Sequence, residues 1–353
     1  MSGITGIFNR DGSPLDRMLL QQMTGRMAYR GPDAQEFWSS GQIGFGHAML
    51  RTTEESLRER QPCSLDGEVW ITADARVDGR RELIRKLGPA FRSELEDATD
   101  PQLILHAYRE WAEDCVLHVL GDFSFAIWDG PRKRLFCARD PMGVKPFYYS
   151  LSGDTVLFSN TFDSLKAHPQ VSCEVNEQAI ADFLLTGLNQ ELGTTGLRDV
   201  LALPPAHTLT ADARGLRIRR YWNLPVGTET HFRRAGDYLE RFDELLVMAV
   251  EDRLRTRKVG IFMSGGIDSP MVAATAKAVM ARSGTPYDLR AFSAVYDHLI
   301  PDEERRYAHS AAASLDIPIH FMAADGYLPF QTAGRVPPPA ANPGDNIFAA
   351  KHF

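Results

Sequence analysis

The stretch Arg257-Lys-Val-Gly-Ile-Phe-Met-Ser-Gly-Gly-Ile-Asp-Ser-Pro270 carries the clearest chemistry in the chain. A basic pair leads into an apolar run, 259–263, short enough for one buried strand. Ser264-Gly265-Gly266 breaks that run, and Asp268-Ser269-Pro270 opens a segment with helical spacing through residue 280. Strand, glycine turn and helix start, in that order, make a cradle for phosphate. Glycines let backbone N–H groups approach an anion with no Cβ in the way. The free N–H groups of the first helical turn, and the helix dipole, favour negative charge. Pro270 fits the first turn, where its missing donor costs little. No Gly-Lys-Ser/Thr follows, so this is not the Walker arrangement.

The elements around this stretch follow from the spacing of apolar residues. A strand begins at residue 3, and Asp16 is placed to cap a helix carrying Leu19, Leu20, Met23 and Met27. Further strands are expected at 37–38, 43–47, 68–73, 123–128, 134–138, 147–149 and 155–158. Helices are expected at 80–87 and 100–111. Asp129-Gly130-Pro131 reads as a hairpin turn, and Arg30-Gly-Pro-Asp33 and 140–146 read as loops. This half is therefore a layered α+β domain. Residues 223–236 read as a linker. Beyond them a helix (238–254), the 259–263 strand, a strand at 289–295, a helix at 303–315 and a strand at 318–322 alternate. Alternation predicts a parallel, doubly wound sheet with helices on both faces, and a ligand at the carboxyl ends of its strands. Residues 337–344 are Pro-rich and read as a loop or tail.

Composition sets the outer bounds. The 353 residues suggest two domains, and 44 % hydrophobic with 24 % charged residues is ordinary for a soluble globular protein. The net charge of −7 is spread along the chain, which argues against a nucleic-acid surface. Cys63, Cys115, Cys137 and Cys173 are too scattered for a zinc or redox pair, so reduced structural thiols are expected. No apolar run approaches about 18 residues, and the N-terminus lacks a signal pattern, so no membrane partner and a cytoplasmic location are expected.

Ser264-Gly-Gly-Ile-Asp-Ser269 after a strand matches the PP-loop of ATP pyrophosphatases, and with both halves read the chain resembles the asparagine synthetase family from end to end. The N-terminal matches are the Gly-Ile-x-Gly-Ile-Phe start, Arg30-Gly-Pro-Asp33, Gly46-His47, Ala138-Arg-Asp-Pro-Met-Gly-Val-Lys-Pro146 and Leu203-Pro-Pro-Ala-His207. The C-terminal ones are the PP-loop, Phe292-Ser293 and Glu303-Glu-Arg-Arg-Tyr-Ala308. The resemblance implies an N-terminal-nucleophile (Ntn) hydrolase-like αββα sandwich, of the class 2 glutamine amidotransferases, at 1–222. It implies a Rossmann-like PP-loop domain of the adenine nucleotide α-hydrolase type at 237–353, incomplete at its C-terminus. The shared chemistry it implies uses ATP and Mg²⁺ to adenylate a carboxylate, which an amine then attacks to give an amide.

In that scheme the amides of Ser264, Gly265, Gly266 and Ser269 hold pyrophosphate oxygens, and the Ser264 and Ser269 hydroxyls add donors. Asp268 handles Mg²⁺ or pyrophosphate, or is a simple helix cap. Met263 and Ser293 stand at nucleotide-contact positions, where core packing and a plain strand-end serine are the alternatives. Arg30, Asp33, Asp140 and Lys145 read as residues that shape loops, and His47 as a structural histidine.

Departures from the family pattern cluster in the glutaminase half. Ser2 stands where active members carry the nucleophilic Cys; a hydroxyl needs a dedicated base, which a free N-terminal amine can supply, so Ser2 alone does not exclude hydrolysis and the supporting residues decide it. His47-Ala-Met-Leu50 replaces His-Arg-Arg-Leu and loses the carboxylate-clamping arginine. Asp74-Ala-Arg-Val77 replaces Asn-Gly-Glu-Ile, and a carboxylate at Asp74 opposes a developing oxyanion. Asp100 alone is kept from Ser-Asp-Thr-Glu. Together these predict a degenerate glutamine site, formed around Ser2, Asp74 and Asp100, without glutaminase activity.

Two branches of the family take their amine elsewhere, β-lactam synthetases and lasso-peptide cyclases, and residues 72–83 look most like the latter; the resemblance implies asparagine if aspartate and ammonia are joined, and a lasso isopeptide if an Asp or Glu side chain meets a peptide N-terminus. The substrate is then a small-molecule or peptide carboxylate, and the partners a precursor peptide and a leader-processing protease, with a homodimer as a further expectation. The competing expectation is a catalytically inactive scaffold or peptide-binding module. The family's second phosphate motif, Ser-Gly-Asp-Gly-Gly-Asp-Glu, is not in the sequence, so weak ATP binding and no ligation are expected of these residues alone.

Overall fold

The computed structural model describes residues 1–88, 95–284, 286–300 and 302–326. The Pro-rich 337–344 stretch lies outside the described residues. The chain divides into two compact units, one of residues 1–224 and one beginning at Pro225.

The first unit is built on two six-stranded sheets. Its strands are β1 (Gly3–Asn9), β2 (Ala34–Ser40), β3 (Ile43–Met49), β4 (Cys63–Ser64), β5 (Val69–Asp78), β6 (Leu120–Asp129), β7 (Arg134–Arg139), β8 (Tyr148–Ser152), β9 (Thr155–Ser159), β10 (Leu201–Ala202), β11 (His207–Asp212) and β12 (Gly215–Arg220). One sheet runs β10-β8-β9-β1-β3-β2 and the other β12-β11-β7-β6-β5-β4. The paired strands are antiparallel throughout, for example Gly3 opposite Ala48 and Asp74 opposite Ser124.

Among the described residues the α-helices of this unit are α1 (Arg17–Gly25), α2 (Arg80–Leu87), α3 (Asp100–Trp111), α4 (Phe162–Leu165) and α5 (Glu177–Thr186). Three apolar clusters stack in series. Ile7, Leu20, Met23, Leu157 and Phe162 join α1 and α4 to the first sheet. Ile4, Phe8, Phe45, Trp128, Leu135 and Leu209 lie between the sheets. Ile71, Val77, Leu83, Leu103, Phe125 and Phe136 join α2 and α3 to the second. The order is helices, sheet, sheet, helices, which is the expected αββα sandwich. Local chemistry sets its edges. Asp16 caps α1, accepting from the backbone N–H of Met18 at 2.8 Å and Leu19 at 3.1 Å. Gly46 is glycine because a Cβ there would lie 2.0 Å from Thr24 Oγ1. The helix α5 lies in a stretch for which the sequence predicted no element.

The second unit has a three-stranded parallel sheet, β13 (Lys258–Phe262), β14 (Asp288–Val295) and β15 (Ile319–Ala323), with β14 central. Its helices are α6 (Ala235–Arg253), α7 (Asp268–Arg282) and α8 (Glu304–Ser314). Val250, Met263, Ala273, Met280, Ala291 and Ala312 form one core drawn from all three helices and the sheet.

Two expectations change here. The β14 strand alternates, with Leu289, Ala291, Ser293 and Val295 buried and Arg290, Phe292 and Ala294 exposed. Among the described residues the helices therefore cover one face of the sheet, not both. For the same reason β13 is not a fully buried strand. Val259 and Ile261 are half-buried while Phe262 is 75 % exposed. Residues Phe262, Phe292 and His320 stand side by side on the open face, in register across the three strands.

Candidate functional site

Chemistry-bearing residues gather at two places, one in each unit. In the first, β1 and β5 bring Ser2 and Asp74 together through Asn160. Asn160 Nδ2 donates to the Ser2 carbonyl at 2.8 Å and to Asp74 Oδ2 at 3.4 Å, while its Oδ1 accepts from the Ile4 N–H at 3.0 Å. Arg30 Nε also donates to the Ser2 carbonyl, at 3.3 Å. The Ser2 hydroxyl oxygen accepts from the Leu50 N–H at 3.1 Å.

Asp74 is only 4 % exposed, and Lys145 Nζ sits 2.9 Å from its Oδ1. Arg30 Nη2 lies 3.8 Å from its other oxygen, too far for a hydrogen bond, and is buried without a hydrogen-bond partner. The Met1 amino group shares this field. Burial lowers its pKa, the Asp74 charge works against that shift, and Lys145 and Arg30 add to it.

The loop after β7 positions Lys145. Buried Asp140 accepts from the backbone N–H of Met142 (3.1 Å), Val144 (2.9 Å) and Lys145 (2.9 Å). Arg139 pins the same loop through the carbonyls of Gly143 and Lys145, both at 2.8 Å. Asp140 thus shapes the loop as expected, and Asp33 does the same by accepting from the Arg51 N–H at 2.6 Å. Lys145 and Arg30 do more than shape loops, since both side chains reach the Asp74 carboxylate. Their positions in Val-Lys-Pro and Arg-Gly-Pro strings gave no spacing signal for that, and neither did Asn160.

Asp100 is the first residue of α3, and its Oδ1 takes a 2.5 Å contact from Arg80 Nη1. His47 is fully buried. Its Nδ1 is 3.2 Å from Thr72 Oγ1, its Nε2 has no partner, and burial lowers its pKa to about 3. It is a neutral interior residue. The cysteines are free thiols, and burial raises Cys63 to about 12.

In the second unit, the Ser264-Gly265-Gly266 turn joins β13 to α7 at the carboxyl end of the strand. Its three N–H groups are all engaged. Ser264 N donates to Ser269 Oγ at 2.8 Å, Gly266 N to Ser264 Oγ at 3.2 Å, and Gly265 N to Glu304 Oε1 at 2.8 Å. A Cβ on Gly265 would meet Tyr307 Cβ at 2.4 Å, whereas one on Gly266 would meet only Ser264 Oγ, at 3.3 Å. Three N–H groups and two hydroxyls, in a turn packed so closely on α8 that residue 265 must be glycine, are a donor set that phosphate oxygens could take in exchange for these internal bonds.

Asp268 is the first residue of α7 and is exposed; Ile267 is the N-cap, with no side-chain capping bond, so Asp268 is not a cap. No group of three or more His, Cys, Asp or Glu placed to hold a metal occurs among the described residues. Mg²⁺ that rides on substrate phosphates needs only one or two carboxylates, and it enters no step below. Met263, expected at the nucleotide, is 2 % exposed and packs in the core, because the strand alternation turns it toward the helices. Ser293 is likewise buried on the helical face at 6 % exposure. No described helix is long and apolar enough to cross a membrane.

Residues 1–222 match the glutamine amidotransferase domain, and residues 241–331 match asparagine synthase. The chain belongs to the asparagine synthetase family. The Bacillus subtilis asparagine synthetase (glutamine-hydrolyzing) 3 is 33 % identical over 80 % of this chain and 46 % of its own length. Asparagine synthetase (glutamine-hydrolyzing) 2 of the same organism is 27 % identical over 91 % of this chain and 43 % of its own. A putative asparagine synthetase (glutamine-hydrolyzing) 2 of Methanocaldococcus jannaschii is 29 % identical over 77 % of this chain and 56 % of its own. The chain thus spans about half the length of these relatives.

Proposed function

We propose that the protein works in ATP-dependent amide-bond formation with an amine that does not come from glutamine, and that its product is an isopeptide of the lasso-peptide type. ATP, when bound, activates a substrate carboxylate for attack by an amine and leaves as AMP and pyrophosphate. The backbone N–H groups of Ser264, Gly265 and Gly266 hold the phosphate oxygens, and the hydroxyls of Ser264 and Ser269 turn toward them. The amidotransferase half takes no part in hydrolysis.

The observation that carries the glutamine-independent part of this reading is the Asp74–Lys145 ion pair beside Ser2; the isopeptide product rests on the resemblance of residues 72–83 alone. An oxyanion site needs neutral or positive donors aimed at developing charge. Here a buried carboxylate faces that space, and its counter-charge is fixed on it rather than free for a ligand. The Ser2 hydroxyl oxygen accepts from the Leu50 N–H.

The test is ATP–pyrophosphate exchange by this chain, alone and with the C-terminal part of a relative's synthetase domain supplied in trans. Aspartate and Asp- or Glu-bearing peptides with free N-termini serve as the carboxylates. Exchange that follows the peptide and ignores glutamine supports the proposal. Exchange with aspartate that yields asparagine only when glutamine is present overturns it. Peptide binding without exchange returns the protein to the scaffold reading.

A further inference from the structure

The three donors of the glycine turn are not held alike. Those of Ser264 and Gly266 go to serine hydroxyls, which carry no charge and are bonded to each other at 2.9 Å. That of Gly265 goes to a carboxylate 39 positions further along the chain, Glu304 Oε1 at 2.8 Å. The second Glu304 oxygen lies 3.4 Å from where a Gly265 Cβ would stand, so the carboxylate straddles the glycine. Its own place is fixed. Glu304 opens α8, its N–H donates to Asp302 Oδ1 at 2.8 Å, and Asp302 Oδ2 accepts from Tyr296 N at 3.1 Å. Tyr307, one turn on, backs Gly265 from below. The first turn of α8 is therefore closed onto the loop, and an anionic oxygen of the chain sits at an N–H group that a phosphate oxygen would use.

We propose that Glu304 is an internal placeholder for pyrophosphate, displaced from the Gly265 N–H when the anion binds and returning as it leaves. The inference rests on the nucleotide reading given above and adds to it a residue that sets affinity. A fixed carboxylate and an incoming polyanion compete for one donor and repel each other, so Glu304 weakens pyrophosphate binding and speeds its departure. The competing account makes Glu304 a strut that holds the loop open, in which case its hydrogen bond matters and its charge does not.

Calorimetric titration of the 353-residue chain with inorganic pyrophosphate separates the two, using Glu304→Gln and Glu304→Ala, with far-UV circular dichroism to verify folding. The Gln variant keeps an acceptor for Gly265 and removes the charge; the Ala variant removes both. The placeholder predicts pyrophosphate binding tighter on the order of tenfold in both variants. Equal affinity in wild type and Glu304→Gln, with Glu304→Ala equal or weaker, overturns it and leaves the nucleotide reading standing. Absence of pyrophosphate binding by all three proteins overturns both.

Discussion

Lys145 Nζ lies 2.9 Å from Asp74 Oδ1, and both side chains are nearly withdrawn from water, at 12 % and 5 % exposure. The pair ties the loop after β7 to the middle of β5 next to Ser2. Breaking a buried pair by removing one partner strands the other charge, at a typical cost of about 3–5 kcal/mol. Asp74→Ala should therefore lower unfolding free energy by about 2–4 kcal/mol, allowing for Arg30 nearby and partial solvent access. The double variant Asp74→Leu, Lys145→Met should lose less than Asp74→Ala alone. Urea denaturation followed by fluorescence measures both, and a double variant that loses as much as Asp74→Ala or more would contradict the pairing.

Stability on the acid side should carry the signature of His47. Its folded pKa is about 3, below the value near 6.5 of an exposed histidine. A depressed folded pKa means the unfolded chain binds the extra proton. The contribution is fully present above about pH 6.5 and is lost as pH falls toward about 3, with a slope of up to about 1.4 kcal/mol per pH unit. His47→Gln removes that one-proton slope. Unfolding free energies at several values between pH 4 and 7 decide it, and parallel curves for the two proteins would refute the assignment.

The two glycines of the loop should not be equivalent. Neither has a left-handed φ, so space decides the outcome. At Gly265 a methyl collides with Tyr307 Cβ at 2.4 Å, which only movement of α8 or the loop relieves. Gly265→Ala should weaken pyrophosphate binding at least about tenfold, an overpacking effect of about 1–3 kcal/mol. Gly266→Ala meets only a rotatable serine hydroxyl and should stay within about threefold. The titration used for Glu304 reads both, and a reversed order would show that the loop binds its anion in another conformation.

Much of this was legible in the sequence. The Asp16 cap and the α2 and α3 helices follow from capping chemistry and helical spacing, and the strand–turn–helix around Ser264 from its glycines. What escaped has physical reasons. The α5 helix bears a capping Asn176 and a C-terminal Gly187 at φ 76°, yet Leu184 and Leu185 are 77 % and 84 % exposed, so no buried stripe announces it. For Met263 the sequence left nucleotide contact and core packing open, because position along a strand is visible in sequence while the side-chain face depends on which side of the sheet is covered. Lys145, Arg30 and Asn160 meet Asp74 across 71, 44 and 86 positions of chain, a convergence made by the sheet topology alone. Glu304 was visible as part of Glu303-Glu-Arg-Arg-Tyr-Ala308, but its bond to Gly265 depends on how α8 packs.

Restoring the nucleophile should not restore glutaminase chemistry. Ser2→Cys supplies a thiol, but Asp74 still faces the space where negative charge would develop. The variant should hydrolyse glutamine no faster than about tenfold above wild type, itself at background, because losing oxyanion stabilisation alone typically costs on the order of a hundredfold or more.

The most direct measurement for the central claim is glutamate release from glutamine by the purified chain, run beside a glutamine-hydrolysing member of the family. The account predicts release indistinguishable from the enzyme-free rate. Turnover near that of the active relative would contradict it, and would mean that Ser2 attacks glutamine despite the carboxylate beside it.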